Sequence, residues 1–310
     1  MRISEFQLIE MLKRGVPKSL QGDIGLGDDA AVLSFRRGRK VLFSADTVVE
    51  GVDFKMGQIQ PEMAGRKALA VNLSDIAAMG GTPFAFVSAL GLPRKVSERW
   101  IKEFHVGMVR LARQFQVSFV GGDVTASKQF FASIAILGYA RKAILRRGAK
   151  PGDLIGVTGD LGGSILEHHY RFMPRLREGQ YLARHFHPSA MIDISDGLWQ
   201  DCEHMMKASG VCAKLDADKV PVSKAALTLS KNNRKKALGH ALGDGEDFEL
   251  LFTLPQKSAH RLDRHWKKRF PNVRLSWIGR VLPGKAKQGI VQCSVNEFNR
   301  KTIRKGYSHF

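Results

Sequence analysis

Acidic side chains recur along the chain beside glycines, turns and small apolar residues. Each has an ordinary alternative, because an aspartate beside glycine is a common turn residue or helix cap. Asp75 is harder to explain in that way, since it lies within residues 68–80, a segment too apolar to be exposed on all sides. A buried carboxylate without a partner is costly. The conspicuous carboxylates are Asp28, Asp29, Asp46, Asp75, Asp123, Asp193 and Asp196.

Carboxylates that gather in one site repel each other unless a cation neutralises them. Hard divalent cations with oxygen ligands do this, and Mg²⁺ is the usual one where phosphate is also present. The three cysteines form no CxxC pair, and histidines and cysteines are not spaced as zinc ligands. The sequence therefore predicts a magnesium site built from carboxylates.

Three segments can present backbone N–H groups to phosphate oxygens. Segments 121–122 and 159–163 are rich in glycine, which lets the backbone approach an anion closely. Residues 195–197 lie at the start of a predicted helix, whose N-terminus favours anions. Arg146 or Lys150 adds a charged donor. A metal site, anion loops and a basic group together indicate phosphoryl transfer, in which positioning and charge neutralisation do most of the catalysis.

Two nucleotide-binding patterns fail on closer inspection. Residues 279–285 have the GxxxxGK spacing of a phosphate loop, but Ala286 replaces the hydroxyl that would hold magnesium. Residues 25–30 resemble a dinucleotide-binding turn, but Asp28 and Asp29 would repel a pyrophosphate unless a cation intervened. We therefore predict neither a Walker-type nor a Rossmann nucleotide site.

Strand and helix patterns mix in both halves of the 310 residues, which predicts an α/β fold of mixed sheets covered by helices. The turn-rich segment 141–153 separates the halves, so we expect two domains, 1–140 and 141–310. Asp46 and Asp123 are each expected at the end of a strand. The predicted strands are 30–35, 40–45, 84–92, 117–120, 130–140, 154–158, 248–253 and 275–281, and helices are expected from residues 61, 97, 162 and 196.

Taken together and in this order, the motifs resemble those of the thiamine-monophosphate kinase family over nearly the whole chain, from about Phe6 to Phe310. Some are shared with the aminoimidazole-ribonucleotide and selenophosphate synthetases of the same superfamily. The helix motif, the Gly-Glu-Asp motif and the C-terminal motif point to the thiamine enzymes. The matching segments are GDDAAV (27–32), SADTVVEG (44–51), ALAVNLSDIAAMGGTP (68–83), GGD (121–123), 146–153, VTG (157–159), DISDGL (193–198), GEDFELL (245–251) and GYSHF (306–310).

The resemblance implies an enzyme that uses ATP to convert thiamine phosphate into thiamine diphosphate. The substrate phosphate would attack the γ-phosphate of ATP directly, without a phosphoenzyme. The resemblance also implies two α/β domains per subunit and a homodimer whose N-terminal sheets pack into a barrel. ATP and several Mg²⁺ ions would lie between the domains.

Site residues follow from the resemblance, motif by motif. The implied catalytic residues are Asp75, Asp123 and Asp196. The implied ATP-binding residues are Gly122, Asp123, Arg146 and Ser195. The implied substrate-binding residues are Asp53, Glu246 and Arg304. The implied metal ligands are Asp29, Ser44, Asp46, Asp75, Asp123, Asp193 and Asp196.

Four residues depart from the family pattern. Ala45 replaces a threonine, which removes one hydroxyl beside the metal ligands. Asp53 replaces a histidine that meets the substrate, and it either faces the cationic part of thiamine phosphate or points away. His105 stands where an aromatic residue is often near the nucleotide, and Arg304 where an aromatic residue often precedes the C-terminal motif. These departures concern substrate affinity rather than the reaction class.

Two alternatives stay open. One is another synthetase of the same superfamily with a different acceptor, although a selenophosphate synthetase should have a reactive cysteine that residues 1–30 lack. The other is a nucleic-acid-binding protein, since the net charge is +20 and most of the excess lies in residues 141–310. The acidic motifs have no role in that function, so we do not predict a nucleic-acid partner. We expect no signal peptide, no membrane partner and a cytoplasmic location.

Overall fold

The computed structural model describes residues 30–34, 40–284 and 291–293. Two β-sheets carry helices on their faces, which confirms the predicted α/β class. The strands are β1 (Ala31–Ser34), β2 (Lys40–Val49), β3 (Thr82–Leu92), β4 (Ser118–Ala126), β5 (Phe131–Ala140), β6 (Leu154–Thr158), β7 (Ala190–Asp193), β8 (Cys212–Leu215), β9 (Leu250–Leu254), β10 (Leu275–Leu282) and β11 (Val291–Cys293). The helices are α1 (Pro61–Ala78), α2 (Glu98–Phe115), α3 (His168–Arg171), α4 (Leu176–His185), α5 (Leu198–Ser209), α6 (Lys224–Leu229), α7 (Arg234–Gly243) and α8 (Gln256–Arg269).

The first sheet has the order β1-β2-β5-β3-β4, with all pairs antiparallel except β3 and β4. Side chains alternate between the two faces of a strand. In β2 this alternation buries Leu42 and Val48 and exposes Phe43. Helix α1 packs on the buried face. The other face carries the exposed side chains of β2 and is called the open face below.

Helix α1 is buried on nearly every side, because the sheet lies beneath it and helices from both halves of the chain pack around it. It begins at Pro61, whose fixed φ suits the first helical position. Two glycines let α1 and α2 cross closely. A Cβ on Gly65 would lie 1.8 Å from the Phe104 carbonyl oxygen, and a Cβ on Gly107 would lie 1.8 Å from the Glu62 carbonyl oxygen. Any side chain at either position would push the two helices apart.

The second sheet has the order β11-β8-β10-β6-β9-β7 and is built from residues after 153. One hydrophobic core lies within this half and includes residues of β6, α5 and α7. The other core joins α1 and the first sheet to residues of α4, β9 and α8. The strands of the first sheet thus precede segment 141–153 and those of the second sheet follow it, while one hydrophobic core includes residues of both halves. The division into domains 1–140 and 141–310 stays a prediction.

Several predicted elements are confirmed, and three details are wrong. Strand β6 matches its prediction, and α1 and α5 begin within two residues of theirs. Strand β2 continues beyond Asp46, because its pairing with β5 runs to Val49. Strand β4 contains Asp123 rather than ending before it, since β4 pairs with β3 as far as residue 126. No helix begins at Gly162, whose φ of +84° is left-handed. In the part of the chain that the structure describes, no helix is both long and apolar enough to cross a membrane.

Candidate active site

Helix α1 meets strand β2 at three of the expected metal ligands. Ser44 and Asp46 lie two residues apart in β2 and so face the same side of the sheet, toward α1. The Ser44 hydroxyl donates a hydrogen bond to the carboxylate of Asp75. The Asn72 side chain accepts a hydrogen bond from the Asp46 backbone N–H at 3.0 Å. The structure therefore brings Ser44, Asp46 and Asp75 together and holds them through hydrogen bonds.

A fourth expected ligand comes from the second half of the chain. Asp193 ends β7 and is only 3% exposed. Its carboxylate accepts a hydrogen bond of 2.6 Å from the hydroxyl of Ser74, the neighbour of Asp75 in α1. Two adjacent residues of α1, Ser74 and Asp75, thus connect Asp193 of the second half with Ser44 of the first half. We call Ser44, Asp46, Asp75 and Asp193 the acidic group. The sequence motifs do not single out Ser74, although a polar residue within an apolar helix indicates a buried partner.

The turn after β7 carries Ser195 and Asp196 into the start of α5. The Asp196 backbone N–H donates to Asp201 at 3.0 Å, and the Asp196 carboxylate accepts from Gln200 at 3.0 Å. Burial raises the pKa of Asp201 well above its usual value, and the nearby charges of Asp196 and Asp193 raise it further. The positive charge of Arg146 acts on this pKa in the opposite direction. Nothing in the sequence distinguished Asp201 from an exposed helix carboxylate.

Glu246 lies in a loop that contacts this turn. Its backbone N–H donates to the Ser195 carbonyl at 2.7 Å, and the Phe248 N–H donates to the Ile194 carbonyl at 2.7 Å. Glu246 and Phe248 both adopt left-handed φ angles, of +63° and +49°. This backbone conformation is unfavourable for residues with side chains. The loop is thus held in its shape by contacts with the 193–196 turn.

The glycines at 162 and 163 serve this loop rather than a phosphate. The Gly162 N–H donates to both carboxylate oxygens of Asp247 at 3.0 Å, and the Gly163 N–H donates to Asp244 at 2.8 Å. Burial raises the pKa of Asp247 well above its usual value, against the effect of its bond from Gly162. Since carboxylates already accept these two N–H groups, the prediction that they bind phosphate is wrong.

Asp123 does not join the group on α1. Strand pairing aligns it with Ala89 and, through β5, with Thr47, so it faces the open side of the first sheet. Asp46 faces the opposite side and lies three strand spacings away, about 14 Å. A magnesium ion needs each ligand oxygen at about 2.1 Å. Asp46 and Asp123 of one chain therefore do not share an ion. Gly122 precedes Asp123 in β4 and is aligned with Ser88.

The Asp53 carboxylate accepts a hydrogen bond from the Val49 backbone N–H at 2.7 Å, within its own turn. Two of the other departures also have a clear place. Ala45 projects to the open face of the sheet, opposite to its neighbours Ser44 and Asp46. His105 is exposed on α2, with its ring 5.5 Å from that of Phe119. Asp29 and Arg304, predicted as a metal ligand and a substrate contact, lie outside the described residues.

The donor atoms of this site suit a hard cation. They are carboxylate and hydroxyl oxygens, which Mg²⁺ prefers. Within residues 30–34, 40–284 and 291–293, no three histidine, cysteine or acidic side chains gather closely enough to hold a metal ion. Such an arrangement still fits Mg²⁺, because this ion is usually held by one or two carboxylates, substrate phosphates and water. The residues present therefore fit magnesium that arrives with a phosphate-bearing ligand.

Comparisons with known proteins agree with this fold. The N-terminal domain of the AIR synthase related proteins matches residues 27–140. Thiamine-monophosphate kinase of Rhodopirellula baltica is 36% identical over 279 residues, which cover 87% of each chain. The enzyme of the same name from Salmonella typhimurium is 38% identical over 287 residues, 85% of this chain and 86% of that one. The solved structure "AaThiL complexed with AMPPCP and TMP" is 29% identical, covers 100% of this chain and 99% of its own, and superposes with a TM-score of 0.84.

The two mixed sheets make the chain an α/β protein whose first half matches the N-terminal domain of the AIR synthase related proteins. Within that class, the identity and coverage of the relatives decide the family. The chain belongs to the thiamine-monophosphate kinase family.

Proposed function

We propose that this protein transfers the γ-phosphate of ATP to thiamine phosphate, forming thiamine diphosphate and ADP. The observation that carries the proposal is the convergence of Ser44, Asp46, Asp75 and Asp193 on one helix at the junction of the two halves. Relatives named thiamine-monophosphate kinase match most of the chain, and a structural neighbour binds AMPPCP and TMP. If the protein were a synthetase of the same superfamily with a different acceptor, its match to these relatives would be unexplained.

The proposed roles of the residues are those that the family motifs imply. Several Mg²⁺ ions would neutralise charge on the transferring phosphate, bound by Asp29, Ser44, Asp46, Asp75, Asp123, Asp193 and Asp196. Gly122, Asp123, Arg146 and Ser195 would bind ATP, and Asp53, Glu246 and Arg304 would bind thiamine phosphate. Asp75, Asp123 and Asp196 would be the catalytic residues, acting by charge and position in a direct transfer without a phosphoenzyme.

The hydrogen bonds around the acidic group make this site preorganised. Ser44 and Ser74 donate to Asp75 and Asp193, and Asn72 fixes the backbone of Asp46. A carboxylate held in this way does not reorganise when positive charge arrives, and fixed charges of this kind stabilise a transition state most effectively. The chain thus supplies oriented oxygens, and each half contributes part of them.

We further propose that the protein is a homodimer through the open face of its first sheet. Phe43, Phe84, Val87 and Val120 are exposed hydrophobic residues of this sheet, each about 40% exposed or more. A contiguous apolar sheet face is rarely left in water by a soluble protein. Asp123 faces the same side and lies on β4, an edge strand of the sheet. In a barrel of two such sheets it would lie at the seam between the chains, and we propose that it reaches the partner's acidic group across that edge. The proposed N-terminal barrel would form from two such faces.

We place the enzyme in the cytoplasm. The three cysteines are unpaired in the structure, which suits a reducing compartment. The proposed substrates, ATP and thiamine phosphate, are also found in that compartment.

An assay of the purified wild-type protein tests the proposed function. With ATP, excess Mg²⁺ and thiamine phosphate, we expect equal amounts of ADP and thiamine diphosphate, measured by chromatography. Thiamine and unrelated phosphate acceptors should give no phosphorylated product. A folded protein that releases ADP only with another acceptor would contradict the proposed substrate, and one that binds RNA but hydrolyses no ATP would contradict the enzyme class.

Asp53→His tests the substrate end of the site. The carboxylate of Asp53 caps its own turn through Val49, so its loss should cost about 1 kcal/mol of stability and lower the melting temperature. A histidine donates a hydrogen bond to phosphate and an ionised aspartate does not. We therefore expect KM for thiamine phosphate to fall and KM for ATP to stay nearly constant. Asp53→Asn is the control, because it keeps an acceptor for Val49 and should preserve the melting temperature. Equal changes in both KM values would show that residue 53 acts through folding or domain closure.

A further inference from the structure

Lys67 is a fully buried cation at the junction of the two halves. Its side chain is 1% exposed, in the second turn of α1. Lysine is almost never buried to this extent unless it is paired, because an unpaired ammonium loses its hydration without compensation. Lys67 donates to the Glu246 carboxylate at 2.6 Å and to the Asp53 backbone carbonyl at 2.8 Å. One ammonium therefore joins the two segments that we assign to thiamine phosphate.

Lys67 contacts the backbone of one partner and the side chain of the other. Glu246 has a left-handed backbone, and its side chain is only 27% exposed, so its carboxylate position depends on what surrounds it. The Asp53 side chain is engaged in its own turn with Val49, which leaves its backbone carbonyl as the atom that Lys67 contacts. Lys67 is thus a fixed point for the turn on one side and for the loop on the other.

The spacing along α1 separates this contact from the acidic group. Ser74, which donates to Asp193, follows Lys67 by seven residues, or two helical turns, so both residues point to the same side of α1. Seven residues of helix are about 10 Å long. Helix α1 therefore sets the distance between Asp193 at one end of the junction and Glu246 at the other.

We propose that Lys67 is a positioning residue for thiamine phosphate, which acts by fixing Glu246 against the Val49–Asp53 turn. The proposal rests on the proposed function, since it assumes that Glu246 contacts this substrate. Lys67 itself is too buried to touch a substrate. Its effect on the reaction is therefore exerted through Glu246 and is specific to the thiamine phosphate end of the site.

The test is steady-state kinetics of Lys67→Met in the full chain, with ATP and thiamine phosphate varied separately. Loss of a charged hydrogen bond should raise KM for thiamine phosphate about tenfold or more. KM for ATP should change less than about twofold, because Lys67 does not contact the acidic group at Asp193. Glu246→Gln should also raise KM for thiamine phosphate. KM of the double variant for thiamine phosphate should be no higher than that of the more impaired single variant, since both changes remove the same contact.

Arg66→Met is the matched control, because Arg66 is the neighbour of Lys67 and also joins the halves. Its guanidinium donates to the backbone carbonyls of Tyr170 and Phe172, away from Glu246. This variant should lower the melting temperature and leave both KM values within about twofold of wild type. An equal rise of both KM values in Lys67→Met, or the same KM change in Arg66→Met, would reduce Lys67 to a structural contact and overturn the proposal.

Two further outcomes are distinguishable. If Lys67→Met is insoluble, Lys67→Gln keeps a neutral donor at the site, and the same selective rise in KM is expected of it. A selective rise supports the positioning role, and an unchanged KM for thiamine phosphate overturns it.

A wild-type protein that forms no thiamine diphosphate overturns the proposed function and this proposal together. An active wild-type protein without the selective effect overturns only the role of Lys67.

Discussion

Asp75→Asn is expected to lower turnover by at least about a hundredfold while the protein stays folded. Asp75 accepts a hydrogen bond from Ser44 and is the neighbour of Ser74, which binds Asp193. Asparagine keeps an acceptor for Ser44 but removes the negative charge that would hold a cation against the transferring phosphate. The loss should therefore appear in kcat, because charge neutralisation acts on the transition state. Turnover at saturating ATP and thiamine phosphate measures it.

The melting temperature distinguishes this loss of turnover from a folding defect. Without Mg²⁺, Asp75→Asn should melt at the wild-type temperature or above it, because one source of repulsion within the acidic group is removed. With excess Mg²⁺ and ATP, the variant should gain less stability than wild type, since it binds them less well. Asp160→Asn is the matched control, because it removes a carboxylate charge at a residue that is half exposed and pairs with Arg274 at the surface. Near-wild-type turnover of soluble Asp75→Asn would contradict its assignment as a ligand.

The sequence predicted those parts of the fold that depend on local signals. Strand β6 and helix α1 have clear apolar patterns, and Pro61 marks where α1 begins. The expected helix at Gly162 failed because glycine there serves a left-handed turn whose N–H groups bind Asp247 and Asp244. A glycine-rich segment predicts close backbone approach, but the sequence does not say whether the approaching group is a phosphate or a carboxylate of the same chain.

The parts of the site that the sequence did not predict are those that depend on packing between distant segments. Ser74 and Lys67 are polar residues within an apolar helix, which signals a partner without identifying it. Their partners, Asp193 and Glu246, lie more than 100 residues away in the sequence. The packing of both halves against one shared helix decides these contacts, and the sequence alone does not specify that packing.

The position of Asp123 has a comparable cause. The face on which a strand residue lies depends on the register and on every irregularity before it. The pairing of β3 with β4 is irregular between Phe86 and Val87, just before the residues aligned with Gly122 and Asp123. The motif identified Asp123 as acidic and glycine-flanked, but only the register shows that it faces away from Asp46. This placement leads to an expectation for the assembled protein.

Subunit mixing is expected to restore activity to two inactive variants. If Asp123 acts in the partner's site, a dimer of one Asp75→Asn chain and one Asp123→Asn chain has one site with both changes and one site with neither. Random mixing makes half of the dimers mixed, so activity should return to about a quarter of the wild-type value for a two-fold dimer. Each variant alone should remain at least about a hundredfold below wild type.

The mixed sample is prepared by unfolding and refolding the two variants together, or by expressing both chains in one cell with different tags. Wild-type protein treated in the same way is the control for recovery, and size-exclusion chromatography with light scattering reports the dimer. If both residues belong to the site of one chain, every site in every mixed dimer carries a substitution, and activity stays at the level of the single variants. That outcome would assign Asp123 to a second metal within its own subunit, because about 14 Å separates it from Asp46 across the sheet.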